Sequence, residues 1–311
     1  MSDFNEILQE YLAYRTGLGF RLRKHSATLP GFIEFLEARR QKRITTDSIV
    51  TWARQPKGCH PNWWAERFSM ARQFAIYCKA RLPQTEIPPI GLVAFQRHRP
   101  APYIYSELEL AQLLSAAKNL SGGTTLRSTM YAAFFGLLTV TGLRVGEALL
   151  LNNADVDLNS GLLTIVRAKF NKPRLVPLHP STVTALREYA NVRDQAVSTN
   201  PESAFFVFET GNRVSYSAAY ATFHELLRQI DIRKKGQRQG PRLHDLRHTF
   251  AVHTLTRWYR SGENVRRLMP TLSTYLGHTG VQCTYWYLSA SPELLGQASD
   301  RLSKQLSGAS Q

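Results

Sequence analysis

The sequence predicts a mainly α-helical protein of two domains, with a small antiparallel β-sheet or hairpin in the second. Apolar residues recur at helical spacing through most of the 311 residues. Residues 162–168 and 174–178 instead alternate apolar and polar side chains around a short turn, which is typical of paired strands. Five prolines fall between residues 83 and 102, where the helical spacing stops, and this composition indicates a linker. A chain of this length has room for a core on each side of that linker.

Residues 1–85 are predicted to form a helical bundle. Pro30 is tolerated there only if it occupies the first turn of a helix, because proline lacks the N–H that later turns need. Helical spacing of apolar residues places the helices at 3–17, 26–39, 46–52 and 63–82.

The second half is predicted to contain further helices on both sides of the hairpin. The segment Ser106 to Glu109 has the composition of an N-terminal helix cap. Residues 126–140 are almost wholly apolar, which predicts a helix at the centre of the core. The turn at Thr141-Gly142 leads into another helix, and after the hairpin the helical spacing returns at 181–195 and 215–230.

The charge of the chain indicates a polyanionic partner. The net charge is +16, with 16 Lys and Arg against 8 Asp and Glu before Pro102 and 23 against 15 from there on. Both halves are therefore basic, and double-stranded DNA is a better candidate than a membrane surface. No apolar run is long enough to span a membrane and no signal peptide is evident, so we expect a cytoplasmic, nucleoid-associated protein of bacterial type.

Basic side chains between the apolar positions of the first domain, and in the loops of the second, are candidate DNA contacts. A solvated surface is the alternative explanation for each of them taken singly. The candidates are Arg67, Arg72, Lys79, Lys172, Lys234, Lys235, Arg238 and Arg242.

Five motifs in the second half contain residues suited to chemistry on a phosphodiester. Thr-Gly-Leu-Arg-x-x-Glu comes first, a lysine stands at the mouth of the hairpin, and His-x-x-Arg, Leu-Gly-His and a tyrosine follow in that order. The residues concerned are Arg144, Glu147, Lys169, His244, Arg247, His278 and Tyr287. Together and in this order, the motifs resemble those of the tyrosine recombinases, the phage-integrase and Xer type of site-specific recombinase, and the resemblance covers nearly the whole chain.

The resemblance implies a two-domain C-shaped clamp around DNA. Residues 1–85 would form a helical, SAM-like core-binding domain, 86–105 a linker and 106–291 the catalytic domain. Residues 292–311 would form a tail helix that protomers exchange. The implied function is that of a site-specific recombinase, integrase or transposase, acting as a tetramer on two duplexes, either alone or with a paralogue.

The chemistry of these residues supports the same function. A tyrosine that attacks a phosphodiester builds negative charge on the non-bridging oxygens, and Arg144 and Arg247 can hold that charge in fixed geometry. The tyrosine must lose a proton, for which His244 is the predicted acceptor, and the departing 5′ oxygen must gain one, for which Lys169 is the predicted donor. His278 is expected to bind and orient the phosphate. The product would be a 3′-phosphotyrosyl link.

This chemistry predicts no cofactor. The sequence has no P-loop and no cluster of carboxylates that would indicate ATP or a metal. Cys59-His60 finds no second ligand pair at zinc spacing, and the three widely separated cysteines are expected to be reduced thiols. Glu147 lies one helical turn beyond Arg144 and is expected to orient that arginine rather than to act on the substrate.

Two assignments have a competitor nearby. Lys172 competes with Lys169 for the role of the hairpin lysine, and the alignment of the motif favours Lys169. Tyr285 competes with Tyr287 for the role of the nucleophile, and the spacing from the Leu-Gly-His motif favours Tyr287. His248, in the apolar run after the His-x-x-Arg motif, is expected to be a packing residue.

Two other functions remain open for the whole protein, namely a type IB topoisomerase-like DNA relaxer and a catalytically silent DNA-binding accessory protein. The complete set of motif residues argues against the silent protein. The chain also differs from the common family pattern, with 30 residues between Arg247 and His278 and no histidine directly after Tyr287. These differences favour a recombinase of a mobile element over one that resolves chromosome dimers.

Overall fold

The computed structural model describes most of the chain as two compact units. The described residues are 3–20, 22–95, 101–166, 173–234, 236, 240–289 and 294–296. The division falls within the proline-containing stretch, and the units comprise Met1–Pro100 and Ala101–Gln311. We call them the first and the second unit. The predicted catalytic residues all belong to the second unit.

The first unit consists of α-helices around one apolar core. Its helices are α1 (Asp3–Gly17), α2 (Arg23–Thr28), α3 (Pro30–Ala38), α4 (Thr46–Arg54) and α5 (Pro61–Cys78). The single helix predicted over 26–39 is wrong: Pro30 starts a separate helix, α3, at the first position, where the missing N–H breaks no bond. Large side chains such as Trp52, Phe32 and Phe74 are fully buried in this core.

The second unit is also mainly helical and contains a small sheet. Its helices are α6 (Glu107–Lys118), α7 (Thr125–Thr141), α8 (Val145–Leu149), α9 (Pro180–Ala196), α10 (Tyr216–Gln229), α11 (Asp245–Arg260), α12 (Val265–Leu276) and α13 (Gln282–Tyr285), with 3-10 turns at Asn153–Asp155 and Trp286–Ser289. The strands are β1 (Val156–Asp157), β2 (Leu162–Ile165) and β3 (Arg174–Pro177).

The sheet is antiparallel with strand order β1-β2-β3. The register of the predicted hairpin pairs Leu163 with Val176 and Ile165 with Arg174. Residues 167–172, which include Lys169 and Lys172, lie outside the described residues. The predicted fold class, mainly α with a small antiparallel sheet, is confirmed. The very short strand β1 was not predicted, because two residues are too few to show an alternating pattern.

Helix α7 lies at the centre of the core, as its apolar sequence predicted. It packs against α6, α9 and α11. Its side chains Met130, Phe134 and Phe135 are fully buried. Phe134 makes an edge-to-face contact with Phe206, with ring centroids 5.2 Å apart.

A separate apolar cluster lies under the C-terminal part of the described chain. It joins α11, α12 and the 3-10 turn that carries Tyr287, and it also includes Leu294. Leu294, in the tail predicted from Pro292, therefore packs on its own unit, while residues 292, 293 and 297–311 lie outside the described residues. Among the helices that the structure describes, none is both long and apolar enough to cross a membrane.

Candidate active site

Five of the predicted catalytic residues come from four separate segments of the second unit and meet in one place. Arg144 precedes α8, His244 and Arg247 lie at the start of α11, His278 follows α12, and Tyr287 lies in the last 3-10 turn. Carbonyl groups at the C-terminal end of α12 bind both guanidiniums. The His278 and Tyr287 rings stack with their centroids 6.0 Å apart. Helix ends thus assemble the site.

Arg144 is the N-cap residue of α8. Its Nη1 donates to Oε1 of Glu147 at 2.7 Å, and its Nη2 donates to the carbonyl of Gly277 at 2.7 Å. A guanidinium has five N–H groups, so donors remain for a ligand. The structure places Glu147 against Arg144 as the sequence suggested, and the orienting role of Glu147 stays a prediction.

Arg174, which the sequence reasoning missed, is the second partner of Glu147. Its Nη1 and Nη2 donate to the two carboxylate oxygens at 3.2 and 2.7 Å, and its Nε donates to the carbonyl of Tyr275 at 2.8 Å. The strand alternation could have revealed it, because Arg174 shares a face with the fully buried Val176.

Glu147 is a buried carboxylate held between two guanidiniums. Burial alone would raise its pKa, but hydrogen bonds and charge from Arg174, together with hydrogen bonds from Arg144, outweigh burial and hold the pKa below the usual value. Glu147 is therefore ionised at neutral pH. Three guanidiniums, those of Arg144, Arg174 and Arg247, surround this one carboxylate, so the site keeps an excess of positive charge.

Arg247 is the most deeply buried cation of the described site, with 2% of its surface exposed. Its Nη1 donates to the carbonyl of Gly142 at 2.8 Å, and its Nη2 donates to the carbonyl of Leu276 at 2.7 Å. Burial lowers its pKa to about 10, against the opposing effects of the Tyr287 phenol and Glu147. The guanidinium stays charged at neutral pH, and its hydrogen bond to Tyr287 places that charge beside the phenol.

Two glycines in the left-handed conformation supply carbonyls to these arginines. Gly142 ends α7 with φ of 59°, and Gly277 ends α12 with φ of 66°. A Cβ atom on Gly142 would lie 2.5 Å from Cδ1 of Phe250, and one on Gly277 would lie 2.8 Å from Nη1 of Arg174. Both the conformation and the close packing therefore require glycine.

His244 lies at the solvent-accessible edge of the site. Packing around the rest of its ring lowers its pKa well below the usual value, and the guanidinium of Arg247 adds to this effect. Because one side of the ring reaches solvent, the nearby cations are the more robust of these causes. His244 is therefore neutral at physiological pH, and its ring packs edge-to-face on His248 with centroids 4.8 Å apart.

The two candidate tyrosine nucleophiles occupy opposite environments. Tyr287 is 2% exposed and packs among the site residues, whereas Tyr285 is 46% exposed. The two side chains, two residues apart, therefore point into different surroundings. Of the two, Tyr287 is the one beside Arg247 and His278. Its assignment as the nucleophile stays a prediction.

Two histidines lie against Tyr287: the ring of His278 stacks on its ring, and His248 reaches its hydroxyl group. The Nδ1 atom of His278 is hydrogen bonded to Oγ1 of the buried Thr284 at 2.7 Å. The Nδ1 atom of His248 lies 3.3 Å from the hydroxyl oxygen of Tyr287. Sequence reasoning missed this contact, because a histidine in an apolar helical run looks the same whether it packs or accepts a proton.

The other predicted residues of the second unit differ in what the structure describes of them. Lys169, Lys172, Lys235 and Arg238 lie outside the described residues, and Lys234 is exposed. Arg242 is bound to the buried Asp245, to which its Nη2 donates at 2.9 Å. Within the described ranges, no three His, Cys, Asp or Glu side chains come close enough to hold a metal ion.

In the first unit, the predicted DNA contacts hold backbone carbonyls of their own unit. Arg67 donates to the carbonyl of Trp52 at 2.9 Å and lies over the Trp52 ring, 3.7 Å from its centroid. Arg72 donates to Pro88, and Lys79 donates to the carbonyls of residues 83 and 85. These bonds give all three a local structural role, and their contact with DNA stays a prediction.

Comparison with known proteins gives a consistent family. The phage integrase family matches residues 105–293. A putative integrase/recombinase, y4rB of Sinorhizobium fredii (strain NBRC 101917 / NGR234), is 45% identical over 98% of this chain and 98% of its own length. A second one from the same strain, y4rE, is 37% identical over 95% of this chain and 94% of its own length.

Solved structures show the same fold at lower identity. The XerH site-specific recombinase bound to palindromic difH substrate aligns with a TM-score of 0.64 at 18% identity, covering 86% of this chain and 75% of that one. The Tn1549 transposon integrase with a circular intermediate DNA aligns with a TM-score of 0.63 at 16% identity, covering 90% of this chain and 94% of that one.

Proposed function

We propose that Tyr287 is the nucleophile of this protein. The chain belongs to the phage integrase family and is a tyrosine recombinase that cleaves and rejoins DNA. The observation that carries the assignment is the burial of the Tyr287 phenol against the guanidinium of Arg247. A neighbouring cation favours the phenolate that must form during attack. Attack on a DNA phosphate would give a 3′-phosphotyrosyl intermediate, which keeps the bond energy for rejoining.

Arg144 and Arg247 are proposed to bind the non-bridging oxygens of the scissile phosphate. Each guanidinium is fixed by backbone carbonyls, and N–H groups remain beyond those bonds. Fixed donors need no reorganisation when charge develops, which is the main source of transition-state stabilisation in such sites. Glu147 offsets only part of the positive charge, so the site favours an anion. Glu147 is proposed to orient Arg144.

His278 and His244 are proposed to make hydrogen bonds at the phosphate. His278 is oriented by Thr284, and His244 stands at the open side of the site. Lys169 is proposed to donate the proton to the departing 5′ oxygen, with Lys172 as the competitor. The position of the hairpin supports the role of Lys169. Strand β2 ends at Ile165 and strand β3 begins at Arg174, which belongs to the described site.

A covalent-adduct assay tests the nucleophile. The protein is incubated in EDTA with randomised duplexes that carry a nick. After protease digestion, the duplexes that keep a peptide linked covalently through tyrosine are recovered and sequenced. We expect adduct from the wild-type chain and from Tyr285→Phe, and none from Tyr287→Phe. Adduct that persists in Tyr287→Phe would exclude Tyr287 as the nucleophile. Wild-type adduct that forms in the presence of EDTA agrees with metal-free chemistry.

At the level of the whole protein, we propose a recombinase of a mobile element that assembles as a tetramer on two DNA sites. The names of its relatives y4rB and y4rE, putative integrases, support this role. The proposed domains are a core-binding domain over 1–85, a linker over 86–105 and a catalytic domain over 106–291. The basic candidates in both units would contact DNA, in a nucleoid-associated, cytoplasmic setting. One protein or a pair of paralogues would fill the tetramer.

The tail from 292 to 311 is proposed to join the protomers. Because Leu294 packs on its own unit, the exchanged part would follow it. Deleting 297–311 should keep the fold and covalent cleavage but abolish the two-duplex complex in a native gel. A truncated chain that still forms this complex would refute the exchange, and relaxation of supercoiled DNA by the truncated monomer would favour a topoisomerase-like activity.

A further inference from the structure

We propose that His248 is a catalytic residue that accepts the proton of Tyr287 when the phenol attacks the DNA phosphate. The proposal rests on Tyr287 being the nucleophile, and it gives His248 the acceptor role that the sequence suggested for His244. His248 was expected to be a packing residue. The structure instead brings its Nδ1 atom to 3.3 Å from the hydroxyl oxygen of Tyr287.

The contact lies in a place where water competes little for the phenol. His248 is 9% exposed and Tyr287 is 2% exposed. His248 is the residue after Arg247 on α11, so a helix carries both the cation and the acceptor that face the phenol. The phenol therefore lies between a group that stabilises the phenolate and a group that can take its proton.

The ring of His248 is held in place by aromatic neighbours on two sides. Trp286 makes an edge-to-face contact with centroids 5.2 Å apart, and His244 makes another at 4.8 Å. Such contacts restrict the rotation of the ring, so Nδ1 stays aimed at Tyr287. The separation of 3.3 Å is longer than a typical hydrogen bond to a hydroxyl group, as is common for catalytic contacts before substrate is bound.

The proton balance of the step is complete. In the tautomer with hydrogen on Nε2, Nδ1 carries the lone pair that can accept this proton. As the Tyr287 oxygen forms its bond to phosphorus, the O–H proton moves to Nδ1, and the bond from phosphorus to the 5′ oxygen breaks. Lys169 is proposed to protonate that oxygen. In the rejoining step the 5′ hydroxyl gives its proton back to the neutral Lys169 and attacks phosphorus. The bond from phosphorus to Tyr287 breaks, and the imidazolium of His248 returns its proton to the departing tyrosine oxygen.

His244 is less suited to this task and better suited to the phosphate. It stands at the solvent-accessible edge, and in the described structure its ring contacts His248. Because His244 is exposed, an incoming phosphate can reach its ring. His244 and His248 are thus proposed to divide the work, one at the phosphate and one at the nucleophile.

The test uses full-length protein and a nicked duplex recovered by covalent capture with the wild-type chain. Single-turnover adduct formation is measured for His248→Phe, which keeps an aromatic ring, and for His248→Asn, which keeps an amide near the position of Nδ1 but cannot take a proton. Both should be slowed about 100-fold or more, the range of general-base catalysis. His253→Asn, on the same helix and with no role assigned to it, should stay within about threefold of the wild type.

A second substrate separates the acceptor of the nucleophile's proton from the donor to the leaving group. Sulfur in place of the bridging 5′ oxygen gives a leaving group that needs no proton. Lys169→Ala should be rescued on this duplex, and His248→Phe should not. Duplex binding in a gel shift and thermal melting check that the variants are folded. If His248→Phe does not fold, the adduct rate of His248→Asn alone tests the proposal.

Four results would overturn the proposal. His248→Asn with near wild-type rates would show that the residue only positions the phenol. Rescue of both His248 variants by the sulfur substrate would place His248 on the leaving-group side. Absence of any adduct from the wild-type chain would overturn the proposed nucleophile and, with it, the role of His248, whereas wild-type adduct with fully active His248 variants would overturn the role of His248 alone.

Discussion

Glu147 shows how a single buried residue fixes the geometry of this site. Its carboxylate binds Arg144 on one side and Arg174 on the other, and both arginines also bind carbonyls near the end of α12. Two guanidiniums that share one carboxylate and one helix end cannot move independently. The position of Arg144, and through it the proposed phosphate site, therefore depends on a residue of the hairpin.

Removing Arg174 should destabilise the fold and displace Arg144. Arg174→Met leaves a buried carboxylate with one partner, and breaking a buried ion pair costs about 3–5 kcal/mol; we expect the lower end because Arg144 remains. The free energy of unfolding from denaturant titration measures this. Arg187→Met, at an exposed arginine, is the control and should change it by less than about 1 kcal/mol. Equal effects of the two substitutions would contradict this account.

The same ion pairs make stability depend on pH in a predictable direction. The pKa of Glu147 is lower in the folded chain than its usual value of 4.5. The ionised form is therefore favoured by folding, so its contribution is complete above the unfolded-state pKa and is lost as the pH falls through the folded-state pKa. We expect the difference in unfolding free energy between the wild type and Glu147→Gln to be constant from pH 7 to 6 and to shrink below pH 4.5. A difference in unfolding free energy that grows as the pH falls would contradict this prediction.

At the scale of elements, the sequence predicted the features that depend on side-chain periodicity within one segment. It did not predict those that depend on contacts between residues far apart in the chain. The apolar run of α7 and the alternation of β2 and β3 follow from side-chain period alone. The split between α2 and α3 follows from the fit of Pro30 to a first turn, which a search for periodicity overlooks. Arg174 and His248 were missed because their partners, Glu147 and Tyr287, lie 27 and 39 residues away.

The αL ends of α7 and α12 position the two arginines, and Gly277 offers a sharp test. In Gly277→Ala, a Cβ would meet Nη1 of Arg174 at 2.8 Å, in addition to the strain of a positive φ. Gly262→Ala is the matched control, because Gly262 has φ of 76° and nothing within 4 Å of such a Cβ. Both variants carry the conformational strain, about 1–2 kcal/mol. Gly277→Ala should lose more stability than that and also slow adduct formation.

Gly262→Ala should keep the wild-type adduct rate. Denaturant titration and the single-turnover assay, run on both variants, therefore separate backbone strain from damage to the site. Equal adduct rates in Gly277→Ala and the wild type would show that the end of α12 does not position Arg144.

On the scale of the whole molecule, positive charge is spread over two units that each have a core of their own. The core of the first unit joins α1, α3, α4 and α5, and the cores of the second unit join the elements from α6 onward. The net charge of +16 is shared equally on the two sides of Pro102. If both units bind DNA phosphates, the salt dependence of binding must exceed that of either unit alone.

This predicts two different salt dependences for duplex binding. The logarithm of the binding constant falls linearly with the logarithm of salt concentration, with a slope of about −0.9 for each phosphate neutralised. Because charge is shared equally, the fragment 101–311 should show roughly half the slope of the full chain, measured by fluorescence anisotropy on one duplex. Tyr287→Phe in both proteins prevents covalent trapping, and thermal melting checks that the fragment is folded. Equal slopes would mean that the first unit makes no phosphate contacts, and its positive charge would then need another partner.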